Sequence, residues 1–96
     1  MSVDEETTSF QATIYGVVQG VNYRLFTRNT ADSLGVTGWV RNRKDGSVQV
    51  VAQGEASNLH ELISQLRVGP PHANVTHFEI EWMVSEESLG KFCITR

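Results

Sequence analysis

The chain has 96 residues, 40% of them apolar and 20% charged, with a formal net charge of −3. A chain of this length forms one small domain with a radius of gyration of roughly 12–13 Å, and its mixture is that of a soluble globule rather than a disordered or collagen-like chain. No apolar run approaches the roughly 18 residues of a membrane span, the opening MSVDEETTS is acidic where a signal peptide is basic, so a cytoplasmic location is expected, and a single cysteine, Cys93, excludes an internal disulfide framework and any multi-Cys metal site.

Residues 1–9 are polar and are expected to form a flexible N-terminal segment, with the single domain spanning 10–96. Phe10 to Val18 alternates, with Phe10, Ala12 and Ile14 on one face, and reads as a strand. A loop with glycines four apart follows, from Gly16 to Asn22. Tyr23 to Leu34 has helical spacing, with Tyr23, Phe26, Thr30 and Leu34 on one stripe and Gly35 as the stop. Val36 to Asn42 alternates again, and Lys44-Asp45-Gly46-Ser47 is a hairpin signal leading into a third strand with Val48, Val50 and Ala52 on one face. Ser57 or Asn58 is a candidate cap for a second helix carrying Leu59, Leu62, Ile63 and Leu66, broken at Val68-Gly69-Pro70-Pro71. Val75 to Val84 reads as a fourth strand and Lys91 to Thr95 as a short last one. The order β-α-β-β-α-β plus a C-terminal strand is the α+β, ferredoxin-like split βαβ pattern: one antiparallel-rich sheet with both helices on one face.

Charge is unevenly spread along the chain. Residues 10–44 hold Arg24, Arg28, Arg41, Arg43 and Lys44 against Asp32 alone, whereas residues 45–96 hold three bases against seven acids. That asymmetry suits a small anionic ligand better than a long nucleic acid, which favours a broad basic face. In the expected topology the first and second strands run in the same direction. Their C-terminal ends therefore share one edge of the sheet with the 16–22 loop, Arg24, Arg41, Asn42 and Arg43. A helix N-terminus carries about half a positive charge and unpaired N–H groups, and a glycine-bearing loop entering it can aim further N–H groups at an anion. The loop lacks the Gly-Lys-Ser/Thr of a P-loop and the GxGxxG of a dinucleotide site.

Gly16-Val17-Val18-Gln19-Gly20-Val21-Asn22-Tyr23-Arg24 resembles the signature loop of the acylphosphatase family. Leu34 to Asn42, followed by Asp45-Gly46-Ser47-Val48, resembles its second motif. Gly54-Glu55 and Gly69-Pro70-Pro71, with Ala73 and Val75, resemble its later landmarks, so the likeness runs from about Phe10 to the C-terminus. The resemblance implies a small, metal-free, cofactor-free hydrolase that cleaves the carboxyl-phosphate bond of acyl phosphates. It implies that Gln19, Gly20, Val21, Asn22, Tyr23 and Arg24 form the phosphate-binding loop, and that Asn42 orients the attacking water. Asn22 and Tyr23 depart from the family's usual small or aromatic residue and Phe. Inorganic phosphate is expected as product and competitive inhibitor, with no nucleic-acid or membrane partner and a monomeric state.

The residues fit that chemistry. Arg and Asn offer no general acid, but a carboxylate whose conjugate acid has a pKa of about 4 leaves without protonation. Phosphoryl transfer then needs mainly positioning and charge stabilisation. Other constellations are weaker. His60-Glu61 begins like HExxH but Ser64 ends it, and His60, His72 and His77 read as surface histidines. Cys93 reads as a strand residue, and Trp39 and Trp82 as packing. Asn74-Val75-Thr76 matches a glycosylation acceptor without a secretion signal to give it meaning. An RNA-recognition module wants exposed aromatics on its central strands, where the first strand offers Tyr15 and the third offers only Gln49, Val51 and Gln53. A carbamoyl-phosphate-handling domain belongs to a longer chain. The alternative kept is a noncatalytic ferredoxin-like anion-binding or interaction module that retained the loop and lost turnover.

Overall fold

The computed structural model describes residues 7–84 and 88–96. The elements are β1 (Thr7–Val17), α1 (Tyr23–Leu34), β2 (Thr37–Asn42), β3 (Val48–Glu55), α2 (Ala56–Val68), β4 (Asn74–Met83) and β5 (Cys93–Thr95). They form one five-stranded sheet in the order β4-β1-β3-β2-β5. Every neighbouring pair is antiparallel except β2–β5. The expected ferredoxin-like α+β arrangement is present, extended at one edge by β5.

Alternation decides which side of the sheet is buried. Phe10, Ala12 and Ile14 on β1, Val40 on β2, and Val48, Val50 and Ala52 on β3 are all at most 1% exposed. They meet Tyr23 and Ala31 of α1 and Leu59, Leu62 and Leu66 of α2 in one apolar cluster. The opposite face carries Gln11, Thr13, Trp39, Arg41 and Glu79 and has no helix over it. Each fully buried Leu or Val side chain is worth roughly 1.5–3 kcal/mol relative to exposure, so the helices are held mainly by this shared face.

The boundaries move where local chemistry outweighs pattern. Thr7, Thr8 and Ser9, expected to be frayed, pair with Glu55, Gly54 and Gln53, and Ser9 is buried; residues 1–6 of the expected flexible segment lie outside the described residues. The buried stripe of α1 is Tyr23, Thr27 and Ala31, not one through Thr30, because Thr27 satisfies its hydroxyl by donating to the Tyr23 carbonyl at 2.8 Å and so enters the core at little cost. Helix α2 starts at Ala56, with Glu55 in the capping position and no side-chain cap. The Ser57 hydroxyl instead donates to the Glu55 carboxylate at 3.1 Å. Strand β5 is only Cys93–Thr95, with Lys91 making an isolated bridge to Thr37. Trp82 sits at the sheet end, 43% exposed, with its ring edge-on to Phe10 at 5.6 Å.

The β1–β4 register shifts between Tyr15 and Gly16, after which Gly16 and Val17 stay paired with Val75 and Asn74. Gly16 has φ 124°, and a Cβ there would lie 2.0 Å from the Asn74 carbonyl oxygen. Gly16→Ala therefore combines backbone strain with a steric clash, and is expected to lower stability by about 2–5 kcal/mol in urea unfolding. A loss below about 1 kcal/mol would contradict the bulge geometry.

Candidate active site

Loop 18–22 carries the chain from β1 to α1, and apolar contacts pin it at two points. Val18 is 1% exposed in the core, and Val21 packs on the same cluster. Gly20 (φ 76°) and Asn22 (φ 66°) adopt the left-handed conformation, Asn22 being the one non-glycine to do so among the described residues. Asn is among the residues that accept this region most easily, so the departure at position 22 leaves the loop closed. Asn22 also occupies the capping position of α1, but its side chain makes no cap. Its carbonyl accepts the Phe26 N–H at 2.9 Å, leaving the Tyr23, Arg24 and Leu25 N–H groups without intrahelical acceptors. The first turn contains no acidic side chain.

Directly beside this helix start lies a cavity of about 300 Å³ lined by Val18, Gly20, Asn22, Tyr23, Arg24, Leu25, Asn42 and Ile94. Arg24 is part-buried at its wall and has no carboxylate partner among the described residues. Asn42 reaches the cavity because it shares the helix-side face with Gly38 and Val40, both buried. Its Oδ1 is buried with no hydrogen-bond partner. An unpaired buried acceptor costs roughly 1–3 kcal/mol, and this oxygen makes no hydrogen bond to the hairpin. The last torsion of Asn is broad and nearly two-fold, so either its oxygen or its NH2 can face the cavity.

The hairpin is closed by other groups. The Asp45 carboxylate accepts the Ser47 N–H at 3.0 Å and the Ser47 hydroxyl, and these bonds hold its carboxyl below the usual carboxylate range. Arg43 N–H donates to the Ser47 carbonyl at 2.8 Å, and Gly46 N–H to the Arg43 carbonyl at 3.1 Å.

The basic cluster expected at this edge is only partly assembled. Strand alternation turns Arg41 to the opposite face from Asn42, where its Nε donates to Gln49 Oε1 at 2.9 Å and its guanidinium lies 5.4 Å from the Trp39 ring centre. Arg43 is exposed and faces Asp45 at 4.0 Å. Arg24 is the one arginine lining the cavity. Two other loop side chains also point elsewhere. Gln19 Nε2 donates to the Arg43 carbonyl at 2.8 Å and the Ser47 carbonyl at 2.9 Å. Tyr23 is buried, and its hydroxyl donates to the Leu66 carbonyl at 2.6 Å. Burial pushes this phenol well above its ordinary pKa, so it remains a donor at any physiological pH and ties the start of α1 to the end of α2.

Sequence reasoning missed Leu25 and Ile94. Leu25 is 42% exposed at the mouth of the cavity, a signal readable as a leucine off the buried stripe. Ile94 arrives through the parallel pairing Val40↔Ile94, which no local pattern announces. No group of three or more His, Cys, Asp or Glu side chains converges among the described residues. The histidines are peripheral: His77 bonds Glu79 at 3.1 Å and His60 lies 5.2 Å from the Trp82 ring. Cys93 is exposed on the uncovered sheet face.

An acylphosphatase family model matches residues 10–94. An acylphosphatase from Acaryochloris marina is 48% identical over 82 residues, covering 85% of this chain and 84% of the relative. One from Methanococcoides burtonii is 40% identical over 96 residues and covers both chains completely. The crystal structure of an acylphosphatase from Bacillus subtilis superposes with a TM-score of 0.90 at 31% identity, covering 93% of this chain and 99% of that one. The chain belongs to the acylphosphatase family, hydrolases that act on acyl phosphates.

Proposed function

We propose that the cavity at the start of α1 holds the phosphate of an acyl phosphate and that Asn42 orients the water that attacks it. The observation that carries this reading is the meeting, around one cavity, of Arg24 with no carboxylate partner among the described residues, an uncapped helix N-terminus, and Asn42, whose amide oxygen makes no hydrogen bond. The Arg24 fork and the free N–H groups of the first turn suit the equatorial oxygens of a phosphoryl group. Asn42 accepts a hydrogen bond from the water and so aims the water's lone pair at phosphorus. As the new P–O bond forms, the bond from phosphorus to the acyl oxygen breaks and the carboxylate leaves with the electron pair. The water's proton passes to a phosphate oxygen, so the products are carboxylate and inorganic phosphate. Because the leaving group needs no proton and the developing charge meets fixed donors, these residues need no metal ion to do this. On this reading the protein acts as a monomer, and the exposed free thiol of Cys93 suits the reducing cytoplasm.

Arg24→Ala is expected to lower kcat/KM for an aryl acyl phosphate by about 10²–10³-fold. Arg24→Lys should recover little, because a point charge does not reproduce the fork. Inorganic phosphate should inhibit competitively, and a chelator should leave the parent rate unchanged. Near-normal turnover in Arg24→Ala, or purely noncompetitive inhibition by phosphate, would place the phosphate elsewhere.

Asn42→Ala should cut kcat severely while leaving phosphate affinity and the melting curve near the parent values, the pattern of an interaction made mainly in the transition state. Asn42→Asp should also fail, since a carboxylate repels the phosphate and cannot donate. If instead Asn42→Ala lost stability and phosphate binding together while each folded molecule kept its turnover, the residue would belong to the hairpin and not to the chemistry.

A further inference from the structure

The proposed mechanism needs the phosphate-holding loop and the water-holding amide at a fixed separation. The loop follows β1 and Asn42 ends β2, but β3 lies between those strands, so no ladder bond joins them. The covalent route from one to the other runs through the whole of α1. Gln19 makes the direct connection. The two carbonyls it engages, Arg43 and Ser47, are the residues immediately beyond the Asn42↔Val48 rung of the β2–β3 ladder. Both carbonyls are also held within the hairpin by the Gly46 and Arg43 N–H groups, so Gln19 grips a closed unit and not a mobile tip. A carboxamide nitrogen has two hydrogens. Both are engaged here, so the side chain has no donor left for a phosphate.

We infer that Gln19 is a positioning residue: its carboxamide sets the distance between the phosphate loop and Asn42. This rests on the reading of Asn42 as the water's ligand. An amide suits the task because it supplies two donors without a charge that would compete with Arg24 for the anion. Misplacing a reacting group by about 1 Å can cost about 100-fold in rate, so a bond far weaker than the chemistry it serves can still govern kcat.

Two variants test this. Gln19→Met keeps the length of the side chain and removes both donors. Gln19→Asn keeps the amide but draws it back by one methylene, so that it cannot span both carbonyls. For each, kcat per folded molecule is measured beside the competitive Ki of inorganic phosphate, with circular dichroism giving the folded fraction. In Gln19→Met, kcat should fall about ten- to a hundredfold, and Gln19→Asn should show a smaller loss. Phosphate Ki should stay within about threefold of the parent in both, because Arg24 and the helix N–H groups still hold the anion. In an Asn42→Ala background, Gln19→Met should change kcat by less than about twofold, since the group it positions is gone. An unchanged kcat in Gln19→Met would overturn the inference, as would a phosphate Ki that rises in step with the loss of rate, which would make Gln19 a phosphate ligand. Equal losses in both backgrounds would also overturn it. If Asn42→Ala alone keeps its turnover, the reading of Asn42 has failed; if Asn42→Ala is inactive and Gln19→Met is not, only the role of Gln19 has.

Discussion

The first turn of α1 is where the fold and the chemistry meet. Its N–H groups have no acceptors inside the helix, the capping residue Asn22 supplies none, and no acidic side chain stands in the turn. A side-chain cap at such an end typically contributes about 1 kcal/mol of stability, and α1 forgoes it. Here the donors stay uncapped beside Arg24, which has no carboxylate partner among the described residues. The fixed partial charge of the helix adds to that of the guanidinium, and because both already stand in place, the proposed anion binding needs little reorganisation.

Keeping those donors free requires that the loop be fixed by something other than its own hydrogen bonds. Three kinds of contact do it. Val18 and Val21 anchor it in the apolar core, the Tyr23 hydroxyl ties it to the end of α2, and the Gln19 amide ties it to the β2–β3 hairpin. The bulge at Gly16 lies just before the loop, one residue from the end of β1. These groups fix the loop through the backbone or the core, and the polar side chains of Arg24 and Asn42 line the cavity beside them. Tyr23 is accommodated in the core because its hydroxyl finds a carbonyl at the end of the neighbouring helix.

The elements were legible in the sequence because their periods were clean: alternation in β1, β2 and β3, leucines at helical spacing in α2, and a Gly35 stop whose φ of 70° is that of the C-terminal cap. The loop, Arg24 and Asn42 were legible because strand parity and the shared direction of β1 and β2 bring them to one edge. Arg41 was misplaced at that edge because nearness in sequence was read ahead of parity: adjacent strand residues face opposite ways. The inward turn of Thr27 depended on a hydrogen bond to a carbonyl four residues back, which hydrophobicity does not record. Ile94 depended on a parallel pairing between segments far apart in sequence. The direction of the Gln19 side chain was hidden for the same reason, since its acceptors belong to a hairpin more than twenty residues away.

The central claim is that the site directs water to phosphorus, with the carboxylate as leaving group. Hydrolysis of an acyl phosphate in water enriched in oxygen-18, with mass analysis of both products, tests it most directly. Attack at phosphorus puts the label in inorganic phosphate and leaves the carboxylate unlabelled, which is the expected result. Label in the carboxylate would mean that water attacks the carbonyl carbon, and would contradict the roles given to Arg24 and Asn42.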